Sequence, residues 1–300
     1  MKRSSWHLRA GSVVFGWLVA LVAVAIAQPF IPLSSWLLIH LLGLGAVSNA
    51  ILIWSRHFAD ALLRRSPNPP YPGQVIRLLA FNVGAVMVIT GMLGGWWPVM
   101  LAGGVVVAGV AVVHASDLVR FLREALPARF SITVHYYVAA AVLLAVGTGL
   151  GVALANSALP GMLAERLRTA HTVLNLFGWV GLTVLGTLVT LWPTMLRTRL
   201  ADGVERAARR GLPALVLSLV VAVAGAILGL AQIVGVGALG FAASVGFVLW
   251  PHIDEVRRKR PADFPTLSVL CGVVWLLGSL AYLTVALLTA PNWIAASTRV

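Results

Sequence analysis

Residues 168–199 read RTAHTVLNLFGWVGLTVLGTLVTLWPTMLRTR, an apolar run that is bounded by arginines and carries His171 near its start. About 20 apolar residues, rising about 1.5 Å each, are enough to cross the hydrocarbon core of a bilayer. The sequence therefore predicts a transmembrane helix here. Asn175 and several threonines make the run more polar than a lipid-facing anchor requires, so a functional site is sought first in this span.

Similar apolar runs fill the rest of the chain, which is 60% hydrophobic and only 10% charged. We predict helices throughout, because only helices and closed barrels satisfy the backbone in lipid and no run alternates with period two. The predicted fold class is all-α, a polytopic membrane helix bundle of about nine transmembrane helices in one domain over residues 1–300. The predicted spans are 11–31, 35–62, 75–96, 98–119, 132–155, 169–194, 212–230, 232–251 and 266–290.

The basic residues predict how the chain is oriented. All but three of the 22 fall on one side of the predicted topology, the exceptions being Arg166, Arg168 and Arg299. The positive-inside rule then places the N-terminus in the cytoplasm and, after nine spans of the cell membrane, the C-terminus outside. The net charge of +13 is accounted for by this topology. The expected partner is therefore the lipid bilayer, and no nucleic acid partner is expected.

Two predicted spans resemble each other. Each has a histidine near its outer end, His40 or His171, and a tryptophan near its inner end, Trp54 or Trp192. This pattern suggests a duplicated four-helix unit, with repeats at 35–155 and 169–290.

Histidines are the candidate ligands. His40 and His171 are expected in the same outer layer, where two inward-facing imidazoles suit the axial positions of a haem iron or two positions of a copper centre. The alternative is that each histidine hydrogen-bonds a nearby carbonyl or hydroxyl group. His114 is a third metal candidate, because it is the deepest of the histidines expected at the cytoplasmic side. Asn49, Asn175 and Trp179 are expected to shape the surroundings of the pair.

Other site types are disfavoured. All nine carboxylates are expected in loops or at helix ends, which argues against a proton pump or a cation-coupled carrier. No nucleotide-binding loop, HExxH motif or nucleophile elbow is present. The single cysteine, Cys271, excludes a disulfide framework and a CxxC site.

Two segments carry a family resemblance. HLLGLGAVSN at residues 40–49 and HTVLNLFGWVGLTVLGTLVTLWPTMLR at residues 171–197 resemble the N-terminal membrane module of actinobacterial multicopper-oxidase and copper-nitrite-reductase-like proteins. More remotely, the chain is similar to the NnrS and haem-copper oxidase families, whose helix-end histidines bind haem and copper. The resemblance implies haem b or copper as cofactor and an extracytoplasmic cupredoxin or oxidase as partner. The chain departs from the family in having no cupredoxin domain and no His-Cys-His motif.

We therefore expect an integral membrane metal- or haem-binding module that transfers electrons to, or anchors, an extracytoplasmic copper oxidase. As an enzyme it would be an oxidoreductase component. Two alternatives stay open: a membrane carrier or sensor whose histidines bind a small ligand without metal, and a structural membrane anchor with no site.

Overall fold

A computed structural model describes residues 3–65, 72–126, 130–156 and 158–297. Helices form nearly all of this part of the chain, and none of it is strand. Two segments are π-helical, named π1 and π2 here. The elements are α1 (Arg3–Ile26), a 3₁₀ turn (Gln28–Phe30), α2 (Ser34–His40), π1 (Leu41–Val47), α3 (Ser48–Leu62), α4 (Pro72–Leu93), α5 (Trp97–Glu124), α6 (Ser131–Leu154), α7 (Gly161–Thr172), π2 (Val173–Gly181), α8 (Leu182–Met195), α9 (Val204–Leu228), α10 (Ala231–Leu249), α11 (His252–Arg258), α12 (Phe264–Leu288) and α13 (Trp293–Ser297).

The predicted fold class is confirmed. Within the described ranges, nine helices are long and apolar enough to cross a membrane, and each coincides with a predicted span. The protein is an all-α, multi-pass membrane protein whose apolar helices contact the lipid bilayer. The second and sixth spans, Ser34–Leu62 and Gly161–Met195, are each made of an α-helix, a π-helical segment and a second α-helix.

Several helices extend beyond the predicted apolar runs. The fourth span continues to Glu124 instead of 119, the sixth begins at Gly161 instead of 169, and the seventh begins at Val204 instead of 212. The added turns contain charged residues, which a hydropathy pattern leaves out although the helix continues through them. Asp117 consequently lies within α5 rather than at the helix end.

The chain forms two compact units. Unit 1 contains Met1–Ala128 and Ala141–Ala158, and unit 2 contains Arg129–Ala140 and Leu159–Val300. Each is described by itself below. His40 and His114 belong to unit 1, whereas His171 belongs to unit 2.

In unit 1, α4 and α5 are held at close range by glycine. A Cβ atom at Gly103 would lie 2.7 Å from the carbonyl oxygen of Gly84, so a larger residue there would force the two helices apart. This close approach brings the beginning of α4, with Arg77, beside the end of α5, with His114 and Asp117.

In unit 2, α9 and α10 form an antiparallel pair joined by a tight turn. Gly229 ends α9 with a φ of 72°, a left-handed conformation that glycine adopts without strain. A Cβ atom at Gly237 would lie 2.6 Å from the backbone nitrogen of Ala222, so the pair also depends on a small residue at its contact. The start of α9 and the end of α10 therefore lie side by side.

Candidate functional site

Both candidate histidines are followed by π-helix. His40 is the last residue of α2 and π1 begins at Leu41, while His171 stands two residues before π2 begins at Val173. A π-helical segment inside an α-helix is rare and occurs frequently at functional sites. Its hydrogen bonds shift by one residue, which changes the direction of the side chains that follow. The two histidines were predicted from the sequence, whereas the π-helical segments were not.

His40 has a defined tautomer. Its Nδ1 lies 2.8 Å from the carbonyl oxygen of Trp36, one turn earlier. A carbonyl can only accept, so Nδ1–H donates and the lone pair of the neutral ring is on Nε2. The Trp36 indole stacks on the imidazole with ring centroids 3.9 Å apart. These two contacts fix the tautomer and the orientation of the His40 ring.

His171 is hydrogen-bonded in the opposite sense. Asn175 Nδ2 lies 3.2 Å from His171 Nδ1 and 2.8 Å from the His171 carbonyl oxygen. The amide NH₂ can only donate, so Nδ1 accepts and the proton of the neutral ring is on Nε2. Coordination through Nε2 would require the Asn175 side chain to turn so that Oδ1 accepts from Nδ1–H, which breaks the hydrogen bond from Nδ2 to the His171 carbonyl oxygen.

Two polar side chains at the start of α3 bind backbone carbonyls of π1. Asn49 Nδ2 donates to the Gly45 carbonyl, 2.8 Å away, and Ser48 Oγ donates to the Gly43 carbonyl, 2.7 Å away. Both acceptors are carbonyls of π1. Asn49 and Ser48 therefore satisfy backbone groups of the π-helical segment, which hydrocarbon could not do.

Asn49 is also paired with Asn82 of α4. Asn82 Nδ2 donates to Asn49 Oδ1 at 2.8 Å, and Asn49 Nδ2 donates to Asn82 Oδ1 at 3.2 Å. The indole Nε1–H of Trp17 donates to the same Asn82 oxygen at 2.7 Å. Asn49 was predicted from the sequence, but Asn82 and Trp17 were not. An asparagine in the middle of an apolar run was the signal that could have identified Asn82.

After π2, threonine hydroxyl groups along α8 donate to backbone carbonyls one turn earlier. Thr183 Oγ1 donates to the carbonyl of the buried Trp179, and Thr187 Oγ1 donates to the carbonyl of Thr183, both at 2.7 Å. Tyr137 of α6 lies 2.9 Å from Thr187 through its hydroxyl. These contacts all lie within unit 2.

His114, the third candidate, has hydrogen bonds at both ring nitrogens and is 0% exposed. Arg77 Nη1 donates to Nδ1 at 3.0 Å, so the imidazole is neutral, and Nε2–H donates to Ser55 Oγ at 2.9 Å. Metal coordination by His114 would have to break one of these bonds. As placed, His114 joins the helices that contain Ser55, Arg77 and itself.

Ion pairs and cation–π contacts surround the His114 hydrogen bonds. Arg77 also pairs with Asp117, whose other oxygen accepts from Arg120 at 2.9 Å. The buried Phe121 ring is covered by guanidinium groups, with Arg65 3.9 Å and Arg56 4.2 Å from its centroid. The network stabilises the predicted cytoplasmic ends of three spans in unit 1.

Two other histidines have local roles. His135 is exposed, and its Nδ1 lies 2.9 Å from the Ser131 carbonyl. His252 is buried beside Glu255 with Nδ1 2.7 Å from Oε2, while Glu255 Oε1 accepts from the backbone N–H of Ala201 at 2.8 Å. This pair, which links α11 to the segment before α9, was not predicted from the sequence.

Among the residues that the structure describes, no group of three or more His, Cys, Asp or Glu side chains is arranged to hold a metal ion. No family model, curated protein or solved structure matches this chain.

Proposed function

We propose that this multi-pass membrane protein binds a redox cofactor, haem b or copper, with His40 and His171 as protein ligands, and transfers electrons through it. The observation that supports the proposal is the recurrence of one arrangement. In each of two predicted counterpart spans, a histidine lies at the end of an α-helix, one or two residues before a π-helical segment begins. Among the nine described spans, these two also belong to the most buried, with half of their most apolar stretch inside the protein.

The two histidines differ in how readily they could bind such a cofactor. For His40, the Trp36 carbonyl holds the proton on Nδ1, which is the tautomer that a histidine bound to a metal through Nε2 needs. For His171, the Asn175 side chain would first have to turn so that Oδ1 accepts from Nδ1–H. The cofactor would supply one-electron chemistry, and the protein would orient the imidazoles and surround them with apolar helices that exclude water.

The proposal extends to location and partner. With the N-terminus in the cytoplasm, as the basic loops favour, both histidines lie near the outer ends of their spans. An electron carrier there would serve an extracytoplasmic acceptor, and the resemblance of the two histidine segments to multicopper-oxidase membrane modules supports a cupredoxin or oxidase in this role.

An optical spectrum of the purified protein, with and without reductant, tests the proposal. We expect a Soret band if the cofactor is haem, or copper bound in stoichiometric amount. His40→Ala and His171→Ala should each remove it. His135→Ala is the matched control, since His135 has the same Nδ1 contact with a carbonyl four residues earlier but is exposed. Equal loss in all three variants, or none in the first two, would contradict the proposal.

A second candidate function is supported by the hydrogen bond between Asn175 and His171. With the proton of the neutral His171 ring on Nε2, that atom is a donor and has no lone pair for a metal, which suits a small ligand that carries an acceptor. A carrier or sensor of this kind is colourless. It is favoured if the folded protein contains neither iron nor copper and if added Cu²⁺ and haemin both fail to raise its melting temperature.

A further inference from the structure

A groove in unit 2 lies outside the histidine sites. It opens where the start of α9 adjoins the end of α10, and it encloses about 230 Å³. Because α9 and α10 are spanning helices, their ends mark a boundary of the bilayer. The residues that line the groove are Gly203, Arg206, Ala207, Arg210, Phe247, Trp250 and Pro251.

Two basic side chains line one side of the groove. Arg206 and Arg210 are exposed and lie one helical turn apart on α9. In the part of the chain that the structure describes, neither pairs with a carboxylate. Glu205, the nearest acid on α9, pairs with Arg209 at 3.3 Å.

The acids near the other wall are also engaged elsewhere. Glu255 is 0% exposed and accepts from Ala201 while facing His252. Asp254 is exposed and lies 3.4 Å from Arg257. The two arginines of the groove therefore lack an internal counterion among these acids.

Apolar surface forms the opposite side. Phe247 is 50% exposed and Trp250 is 72% exposed, and both lie at the end of the apolar helix α10. Tryptophan at this level of a membrane helix contacts both the acyl chains and the headgroups. The groove thus places an apolar surface that could contact an acyl chain beside the guanidinium groups of Arg206 and Arg210.

We infer that this groove binds an anionic phospholipid. The lipid phosphate would lie between Arg206 and Arg210, which can donate several hydrogen bonds to phosphate oxygens, and an acyl chain would follow Phe247 and Trp250. A free phosphate would use the arginines but not the aromatic wall. Basic pockets between membrane helices recognise anionic headgroups in this way. The inference does not depend on the cofactor proposed for His40 and His171.

Native mass spectrometry of the detergent-solubilised full-length protein tests this site. Phosphatidylglycerol and phosphatidylcholine are added at equal concentration, and lipid retained per protein is counted. We expect preferential retention of phosphatidylglycerol, and we expect this preference to fall roughly 25-fold in the Arg206→Gln, Arg210→Gln double variant, because each basic residue at an anionic surface contributes about a fivefold preference. Arg209→Gln is the control, since Arg209 is on the same helix but pairs with Glu205.

Three outcomes would overturn the inference. They are equal retention of the two lipids by the unmodified protein, an equal loss in the Arg209 control, and displacement of phosphatidylglycerol by an equal concentration of inorganic phosphate. A second variant, Trp250→Leu, retains both arginines and should weaken lipid retention without changing any binding of inorganic phosphate. Unchanged lipid retention in this variant would also contradict the inference, because the acyl chain would then not contact Trp250.

Discussion

The hydrogen bonds of His40 and His171 have opposite polarity, although the two residues stand in predicted counterpart spans. The carbonyl of Trp36 requires a proton on Nδ1 of His40, whereas the amide of Asn175 requires a lone pair on Nδ1 of His171. Since a metal takes the lone pair of a ring nitrogen, the neighbour of each histidine determines which nitrogen is offered. Asn175 is therefore the residue that separates the two candidate functions.

The Asn175→Asp substitution tests this role. A carboxylate can only accept, so it requires a proton on His171 Nδ1 and directs the Nε2 lone pair outward. If His171 binds a redox cofactor, we expect the cofactor to be retained with a lower midpoint potential, because hydrogen bonding to Nδ1–H raises ligand basicity. Asn175→Leu, which offers no acceptor, should weaken binding by about 10- to 100-fold. Loss of the cofactor in the aspartate variant alone would contradict this role.

Arg77 is expected to contribute strongly to stability. Its side chain is 6% exposed and joins His114 to Asp117. The Arg77→Met substitution removes both contacts and should lower the free energy of unfolding by about 3–5 kcal/mol, as expected when one partner of a buried ion pair is removed. Arg120→Met is the control, since Arg120 binds the same Asp117 but is 61% exposed, and its effect should stay within about 1 kcal/mol. Thermal unfolding in detergent measures both, and equal effects would argue against a buried network.

The sequence allowed some of these residues to be found and not others. Histidines stand out in a membrane protein because ionisable residues are rare in apolar spans. Their partners are harder to find, because the contact of Trp17 with Asn82, or of Arg77 with His114, depends on how helices far apart in the chain are rotated against each other. Hydropathy carries no information on that rotation, and these contacts emerge only from packing.

At the level of the element, the existence of all nine spans followed from length and apolarity. The first and last residues of the helices did not follow from these properties, and α9 is an example. Its first turns, residues 204–211, contain Glu205, Arg206, Arg209 and Arg210, so a hydropathy pattern begins the span at 212 although the helix begins at Val204. π1 and π2 were not predicted either, because their residues carry no propensity that distinguishes a π-helix from an α-helix.

Two glycines of π1 provide a matched test of its packing. A Cβ atom at Gly45 would lie 2.6 Å from Cδ2 of Trp17, whereas at Gly43 it would meet nothing within 4 Å. Gly45→Ala should therefore destabilise the protein by about 1–3 kcal/mol through overpacking. Gly43→Ala should be neutral or slightly stabilising, since alanine favours helix over glycine by up to about 1 kcal/mol. Melting temperatures in detergent compare the two, and an equal change in both would contradict the contact with Trp17.

At the level of the whole molecule, the chain forms two units that each contain one candidate histidine followed by π-helix. This recurrence is consistent with the predicted repeats at 35–155 and 169–290, and the duplication itself stays a prediction. The partition differs from those repeats in one respect, because Arg129–Ala140 belongs to unit 2. The contacts of Tyr136 and Tyr137 with Ala208 and Thr187 place the beginning of α6 there.

The orientation of the chain is tested by cysteine labelling. In a Cys271→Ala background, Asn292→Cys follows the ninth span and Asp202→Cys precedes the seventh. The positive-inside rule predicts that a membrane-impermeant maleimide labels position 292 but not position 202 in intact cells. After permeabilisation both should react. Labelling of 202 alone in intact cells would reverse the topology and place His40 and His171 near the cytoplasmic surface.

The central claim is that His40 and His171 hold a redox cofactor inside the membrane. The most direct test is the iron and copper content of the purified, folded wild-type protein, measured together with its oxidised and reduced optical spectra. The account predicts a stoichiometric amount of one metal and a spectrum that changes on reduction. A folded protein without iron or copper and without visible absorption, even when produced with ample haem precursor and copper, would contradict it.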